Sequence, residues 1–131
     1  MSWQAAAIDE IGSSLEPGWW RTWAREEDYG AGWHSIGDHL GIEGFGVNAN
    51  TADAGRELIV PHDEVSYGGQ EELYIVLRGR ARFTCDGEDV ELAPGGLVLI
   101  TAEVRREAVA LESPTVVLCV GGTPGRPYEP D

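Results

Sequence analysis

The chain has 131 residues, of which 42% are hydrophobic, a length and composition typical of one folded domain with its own core. Its 23 acidic residues outnumber its nine basic residues, all of which are arginines. The resulting net charge of −14 would repel the phosphates of nucleic acids and of anionic membranes. We therefore expect neither a nucleic acid nor a membrane as a partner.

Three further features bear on where the protein resides. The first residues, MSWQAAAIDEIGSSL, lack the basic start of a secretory signal. No apolar run reaches the roughly 18 residues that a membrane-spanning helix needs. Cys85 and Cys119 lie in apolar strand-like runs without a CxxC partner, which is typical of buried thiols and not of a disulfide framework. We therefore expect a cytoplasmic protein.

Residues 1–41 are interpreted as an N-terminal extension rich in tryptophan. Trp33, Ile36 and Leu40 have the i, i+3, i+7 spacing of a short amphipathic helix, and Gly41 would end that helix as its C-cap. The tryptophan cluster consists of Trp19, Trp20, Trp23 and Trp33. Aromatic side chains of this size cover sheet faces well, so we interpret the cluster as packing.

The segment from residue 42 to residue 121 contains eight short runs of strand-forming residues separated by turn residues. In chain order they are GFGVNAN, ELIVPH, ELYIVLRG, RARFTCD, EDVELA, LVLIT, RREAVAL and TVVLCVGG. Asp86-Gly87 between the fourth and fifth runs is typical of a β-hairpin, because both residues tolerate a positive φ. Short strands without intervening helices predict an all-β sandwich or barrel. Residues 122–131 are rich in Gly and Pro and predict an irregular C-terminal tail of the same single domain, residues 1–131.

Other chemistries find little support in the sequence. There is no GxSxG elbow for a serine nucleophile. The glycines of GIEGFG do not follow a strand and open a helix, as a phosphate-binding loop would. His34 and Asp38 are four residues apart, which predicts a surface pair and not a catalytic one.

Ionisable residues concentrate in PHDEVSYGGQEELYIVLRG. His62 and Glu64 are two residues apart, as are Glu72 and Tyr74, so each pair is expected to share one face of a strand. Glu72 is also followed after six residues by Gly79. This stretch is the candidate functional site.

The Glu72-to-Gly79 spacing, the Asp-Gly hairpin and the Pro94-x-Gly96 turn together resemble the cupin superfamily. The stretch EELYIVLRGRARFTCDGE is also similar to small bacterial single-domain cupins of unassigned function. The resemblance implies a double-stranded β-helix, a small jelly-roll-like barrel with its ligand site inside the barrel mouth.

The resemblance also implies a metal site, but this sequence has different residues at two of the ligand positions. In metal-binding cupins the first motif supplies two histidines and a glutamate, whose positions here hold His62, Glu64 and Glu72. The second motif supplies a third histidine, whose position falls near Arg106, or at Leu99 by strict count, and neither residue binds a cation.

One histidine with two carboxylates would suit a divalent ion such as Mn²⁺, Fe²⁺, Mg²⁺ or Zn²⁺ better than copper. An arginine inside the barrel could instead pair with a glutamate and satisfy both groups without a metal. The sequence leaves the presence of a metal cofactor open.

Three hypotheses for function follow. The favoured one is a cupin-type small-molecule-binding protein with a degenerate metal site, in which Tyr74, Arg106 and Gln70 contact the ligand and the arginine favours an anion. The first alternative is a divalent-metal-dependent enzyme of the dioxygenase, isomerase or decarboxylase type, which would use the ligand set named above. The second is a non-catalytic interaction module, and a homodimer is expected because cupins commonly pair through sheet edges.

Overall fold

The computed structural model describes residues 2–11 and 32–129, which are mostly β-structure. The strands described are β1 Gly32–His34, β2 Gly46–Ala52, β3 Glu57–His62, β4 Glu71–Arg78, β5 Ala81–Cys85, β6 Glu88–Leu92, β7 Leu97–Ile100, β8 Arg106–Ala110 and β9 Thr115–Gly122. A 3₁₀ turn at Ile8–Glu10 and one short helix, α1 at Ile36–Leu40, lie in the N-terminal extension. The predicted all-β class is confirmed.

The strands form two antiparallel sheets that face each other. One has five strands in the order β1-β2-β9-β4-β7, and the other has four in the order β3-β8-β5-β6. The core between them consists of Ala52, Leu58, Ile59, Tyr74, Val76, Ala81, Phe83, Ile100, Ala108, Ala110, Val117 and Cys119. This is the double-stranded β-helix that the sequence predicts.

Strand β4 shows how the alternation of side chains directs ionisable groups into the barrel. Tyr74 and Val76 are 2% and 0% exposed, and the Tyr74 ring centroid lies 5.3 Å from that of Phe83 on β5. Glu72 precedes Tyr74 by two residues and therefore lies on the same inward face. The face predicted for this strand is thus the observed one.

The N-terminal segment packs on the outer face of the five-stranded sheet. A second apolar cluster there consists of Ile11, Ile36 and Ala49, with Ile8, Leu40, Ile42, Val47 and Leu118 packed against it. Helix α1 ends as predicted at Gly41, which has a left-handed φ of 69°. The predicted helical spacing is wrong at Trp33, because that residue lies in β1, where it pairs with Asn50 of β2. Outside the described residues lie Trp19, Trp20 and Trp23.

The surface pair predicted between His34 and Asp38 does not form. The ring nitrogens of His34 lie 2.7 Å from the carbonyl oxygen of Ile11 and 3.1 Å from Oγ1 of Thr51. Asp38 instead accepts a hydrogen bond from the Ser35 hydroxyl at 2.8 Å. The i, i+4 rule fails here because His34 belongs to a strand that precedes the helix.

The β5–β6 turn and the C-terminal tail complete the barrel. Asp86 and Gly87 have φ values of 49° and 82°, which confirms the predicted hairpin. A Cβ added at Gly46, the first residue of β2, would lie 3.2 Å from the ring of Tyr128, so the tail folds back onto the barrel. No helix in the part of the chain that the structure describes is long and apolar enough to cross a membrane.

Candidate ligand site in the barrel mouth

Three ionisable side chains meet where β3 ends and β4 begins, an end of the barrel that we call the barrel mouth. They are His62, Glu64 and Glu72, and their potential ligand atoms all lie within 4.8 Å of one another. The Nε2 atom of His62 lies 3.0 Å from Oε1 of Glu64 and 3.9 Å from Oε1 of Glu72. The structure thus brings together all three residues that were predicted as metal ligands.

Glu64 reaches this site for a different reason from the one that strand alternation suggests. Strand β3 ends at His62, and Glu64 lies in the turn that follows. Its backbone N–H donates to the carbonyl of Ala102 at 2.9 Å, and its own carbonyl accepts from the N–H groups of Tyr67 and Gly69. These backbone contacts fix the turn so that Glu64 is buried, with 7% of its surface exposed.

Glu72 accepts hydrogen bonds from three side chains. Its Oε1 accepts from Nη1 of Arg106 and from the hydroxyl of Tyr74, both at 2.7 Å, and its Oε2 accepts from Sγ of Cys119 at 3.2 Å. Tyr74 shares the inward face of β4, and Cys119 is its register partner on β9. This pair of an arginine and a glutamate inside the barrel is the arrangement that the sequence offered as the alternative to a metal.

Arg106 is the largest fully buried side chain among the described residues. Beyond Glu72, its Nη2 donates to the carbonyls of Thr101 at 2.6 Å and Val104 at 3.0 Å, and its Nε donates to Val104 at 3.2 Å. All three guanidinium nitrogens therefore bind acceptors of the protein. Arg106 thus connects the turn between β7 and β8, which supplies these carbonyls, to Glu72.

His62 carries a positive charge in this environment. Burial alone would lower its pKa, but the hydrogen bond to Glu64, the nearby carboxylate of Glu72 and the hydrogen bond to the Val60 carbonyl outweigh it and raise the pKa from 6.5 to about 9. The Nδ1 atom lies 2.7 Å from the Val60 carbonyl oxygen, which can only accept, so this nitrogen carries a hydrogen. At neutral pH the Nε2–H then donates to Glu64.

The two carboxylates differ because their partners differ. Burial alone would raise the pKa of Glu72, but the nearby imidazolium of His62, the hydrogen bonds from Tyr74 and Cys119 and the charge of Arg106 lower it to about 2. For Glu64 burial is the largest influence and, together with the nearby charge of Glu72, it raises the pKa despite the opposing effect of His62. The permanently ionised carboxylate is therefore Glu72.

The donor set fits a divalent cation only in part. The Nδ1–H of His62 on the Val60 carbonyl is the arrangement that leaves Nε2 free as a metal ligand once it is deprotonated. Glu64 offers a carboxylate oxygen within 4.8 Å of the ligand atoms of His62 and Glu72. Glu72 fits less well, since Arg106 and Tyr74 occupy the two lone pairs of its Oε1 and the thiol of Cys119 occupies part of its Oε2.

The residues predicted to contact a ligand lie around the same point. Tyr74 and Arg106 reach it through their hydrogen bonds to Glu72. A Cβ added at Gly121 would lie 3.2 Å from Oε1 of Gln70 and 3.3 Å from Cγ of Glu72, so Gln70 borders the site. The ligand-binding roles of Tyr74, Arg106 and Gln70 stay predictions.

Cys119 is the contact that the sequence interpretation missed. It was interpreted only as a small buried hydrophobe, yet its thiol donates to Glu72. Burial is the main cause that raises its pKa well above 9, so the thiol keeps its hydrogen. Its alternation with Val117 and Gly121 in TVVLCVGG was the available signal, because it places the thiol on an inward face.

Two cavities open near this end of the chain's β-structure. One of about 290 Å³ adjoins His62 and is lined by Pro61, His62, Asp63, Ser66, Tyr67 and Arg105. Another of about 390 Å³ lies beside the β5–β6 hairpin and is lined by Thr84, Asp86, Gly87, Arg105, Arg106 and Glu107. Only the smaller cavity includes a residue of the His62, Glu64 and Glu72 group, and we take it as the entrance to the site.

Comparisons with known proteins agree with this architecture. The family profile described as "Cupin domain" matches residues 61–121, which include the whole His62, Glu64 and Glu72 group. No protein of curated function matches the chain.

Among solved structures, a cupin protein from Bacteroides fragilis is 28% identical, with a TM-score of 0.62 over 73% of this chain and 80% of its own. A sugar phosphate isomerase from a cupin superfamily, from Silicibacter pomeroyi, is 22% identical, with a TM-score of 0.68 over 90% of this chain and 74% of its own. A cupin 2 domain-containing protein from Halorhodospira halophila is 21% identical, with a TM-score of 0.59 over 83% of this chain and 76% of its own. At these identities the last two show the fold alone.

Proposed function

This chain belongs to the cupin superfamily, and on that premise we propose that it binds a small molecule in the barrel mouth, at a site where Arg106 takes the place of a metal ion. One observation carries the proposal. The guanidinium of Arg106, with none of its side-chain surface exposed, lies 2.7 Å from Glu72, the residue whose motif position resembles that of the glutamate ligand of metal-binding cupins.

The charges of the site balance without a cation. Glu64 and Glu72 supply two negative charges when both are ionised, and protonated His62 and Arg106 supply two positive ones. A divalent ion entering this group would have to displace the proton of His62 and lie close to a fixed guanidinium charge, and both costs lower its affinity. A polar and charge-balanced site of this kind suits the recognition of a small molecule.

A ligand screen by thermal shift tests the proposal. A compound at 100 times its dissociation constant stabilises the folded state by about 2.7 kcal/mol, which is a readily measured rise in Tm. We expect such a stabiliser for the natural chain, and we expect Glu72→Gln to weaken its effect because the contact geometry around Arg106 changes. Glu71→Gln on the outward face of the same strand is the matched control and should keep the full effect. If a broad panel of small metabolites contains no stabiliser, the proposal is wrong.

A divalent-metal-dependent enzyme is the second candidate function. The convergence of His62, Glu64 and Glu72 within 4.8 Å favours it, as does the Nδ1–H of His62 on the Val60 carbonyl. A divalent ion bound by these three residues would act as a Lewis acid on a bound substrate or water. Titration of the metal-free protein with Mn²⁺, Fe²⁺ or Zn²⁺ tests this candidate: it predicts one equivalent bound, and binding that is unchanged in His62→Ala eliminates it.

A homodimer is part of the proposal for the whole protein. Strand β7 is at the edge of the five-stranded sheet among the described strands, and its outward side chains Leu97 and Leu99 are 59% and 60% exposed. An exposed edge strand with an apolar face is a surface that proteins commonly cover. A second copy of this chain would cover both the edge and the two leucines.

A further inference from the structure

The hydrogen-bond donors of the site are already used within the protein. Arg106 donates from all three of its nitrogens to Glu72, Thr101 and Val104. The hydroxyl of Tyr74 and the thiol of Cys119 both donate to Glu72. A ligand beside Glu72 therefore meets three donor side chains that are already bonded within the protein.

Hydrogen-bond acceptors, in contrast, are in excess. When ionised, the carboxylates of Glu64 and Glu72 have about four lone-pair positions each. Donors of the protein use three of these positions on Glu72 and one on Glu64, so the remaining positions are open to a ligand. On β2, Asn48 is the register partner of Cys119, so its side chain lies on the same inward face as the thiol. The Oδ1 atom of Asn48 is buried and has no hydrogen-bond partner among the described residues.

A buried acceptor without a partner is uncommon in folded proteins because its loss of hydration is uncompensated. Asn48 and Tyr74 flank Cys119 on the strands either side of β9, so they are separated by two strand spacings, roughly 10 Å. A molecule of several heavy atoms spans that distance. It could donate to Asn48 at one end and to the carboxylates of Glu64 and Glu72 at the other.

We propose that the ligand is a small molecule without negative charge that carries several O–H or N–H donors, and that Asn48 is one of its contacts. This inference rests on the proposed function and names the chemical class of its ligand. It replaces the anionic ligand expected from the sequence, because that expectation required the guanidinium of Arg106 to reach the ligand. Arg106 is fully buried and pairs with Glu72. The net charge of −14 also repels anions approaching from solution.

Matched pairs of compounds test the ligand class. Glycerol and glycerate, erythritol and erythronate, and ethanolamine and glycolate differ in whether a carboxylate is present, and saturation-transfer NMR with the full chain ranks each pair. We expect the uncharged or cationic member to bind more tightly, by at least tenfold. Equal or tighter binding of the carboxylates overturns the inference and leaves the proposed function in place. If none of these six compounds binds, this inference is wrong, whereas the proposed function fails only if the broad thermal-shift panel contains no stabiliser.

Variants of Asn48 test the contact itself. Asn48→Leu has a similar volume but no acceptor, so it should lose at least tenfold in affinity for the compound that binds best. Its Tm without ligand should rise, since an unpartnered buried acceptor is removed. Asn48→Asp retains an acceptor and should bind more tightly than Asn48→Leu. Asn50→Leu, two residues along on the same face, is the matched control and should lower the Tm, because Asn50 is 3% exposed and has an interaction partner. Undiminished binding by Asn48→Leu, or a lower Tm for it, overturns the assignment of Asn48.

Discussion

At the scale of single residues, the central feature is a glutamate that is held ionised by neighbours supplied from three other positions. Tyr74 comes from the same strand, Cys119 from β9 and Arg106 from the opposite sheet. The pKa of Glu72 falls to about 2 even though burial alone would raise it. The site therefore depends on hydrogen bonds that only the assembled barrel provides.

The raised pKa of His62 predicts a loss of stability in alkaline solution. A group whose pKa is higher in the folded state stabilises that state fully below its unfolded value of 6.5, and this stabilisation disappears as the pH rises to about 9. The shift corresponds to about 3 kcal/mol at most. We expect the free energy of unfolding, measured with urea, to fall between pH 6.5 and pH 9 in the natural chain and to change less in His62→Gln. Parallel curves for the two proteins would contradict the assignment of the proton to His62.

The lowered pKa of Glu72 gives the opposite dependence in acid. Its contribution to stability is fully present above the unfolded value of 4.5 and is lost as the pH falls toward about 2. Glu72→Gln should therefore flatten the acid side of the stability profile, whereas His62→Gln flattens the alkaline side.

Arg106 and Glu72 should be strongly coupled in stability. Breaking a buried ion pair by removing one partner typically costs about 3–5 kcal/mol, because the other charge stays buried and uncompensated. We expect Arg106→Met to lose an amount in this range in urea denaturation, and the double variant Arg106→Met with Glu72→Leu to regain much of it. If the double variant is no more stable than the single one, the pair is not the main partner of either charge.

The sequence identified the ionisable residues of the site but not their contacts. Glu72 was identified by its spacing to Gly79, and Arg106 by its place after the LVLIT strand. No sequence pattern marked the carbonyls of Thr101 and Val104 as partners of Arg106. Every residue carries a backbone carbonyl, and only the conformation of the turn directs these two at the guanidinium. The unpartnered oxygen of Asn48 could not be predicted from the sequence either, because the position of that side chain depends on the register of β2 with β9.

At the scale of strands and turns, most elements were predictable because their chemistry is local. ELIVPH and TVVLCVGG coincide with β3 and β9 residue for residue, and Asp86-Gly87 forms the expected hairpin. Strand β1 was not predicted, because its three residues are too few to show an alternation and Trp33 fits a helical spacing by chance. Long-range pairing with β2 decides its structure.

Gly79 gives a sharp test at this scale. It has a φ of 78°, and a Cβ added there would lie 2.6 Å from the Pro114 carbonyl oxygen and 2.7 Å from Cα of Thr115. Gly79→Ala should therefore combine backbone strain of about 1–2 kcal/mol with a backbone clash that no side-chain movement relieves. Gly55→Ala, at a φ of 85° with no atom within 4 Å of the added Cβ, should show the strain alone. Equal losses of stability in urea for the two variants would contradict the close approach of β9 to Gly79.

At the scale of the whole molecule, an acidic surface is combined with an apolar patch at one sheet edge. The net charge of −14 keeps copies of the chain apart in general, so any association should occur where charge is absent. Leu97 and Leu99 on β7 provide such a place. The surface proposed to bind the second copy is therefore small and specific, and its two leucines can be substituted to test it.

Sedimentation velocity tests the homodimer. We expect the natural chain to sediment as a dimer and the double variant Leu97→Glu, Leu99→Glu to sediment as a monomer, because two buried carboxylates per copy would face each other across the interface. Val90→Glu alters another exposed apolar residue, 40% exposed on the other sheet, and should leave the dimer intact. A monomeric natural chain, or a dimeric double variant, would show that this face is not the interface.

The most direct test of the account is the metal content of the protein. Elemental analysis by mass spectrometry would follow purification without chelators, incubation with Mn²⁺, Fe²⁺ or Zn²⁺ and dialysis. Because Arg106 forms an ion pair with Glu72 and balances its charge, we predict well under one equivalent of metal, with the same content in His62→Ala. One equivalent of metal in the natural chain that disappears in His62→Ala would contradict the account and establish the metal-dependent alternative.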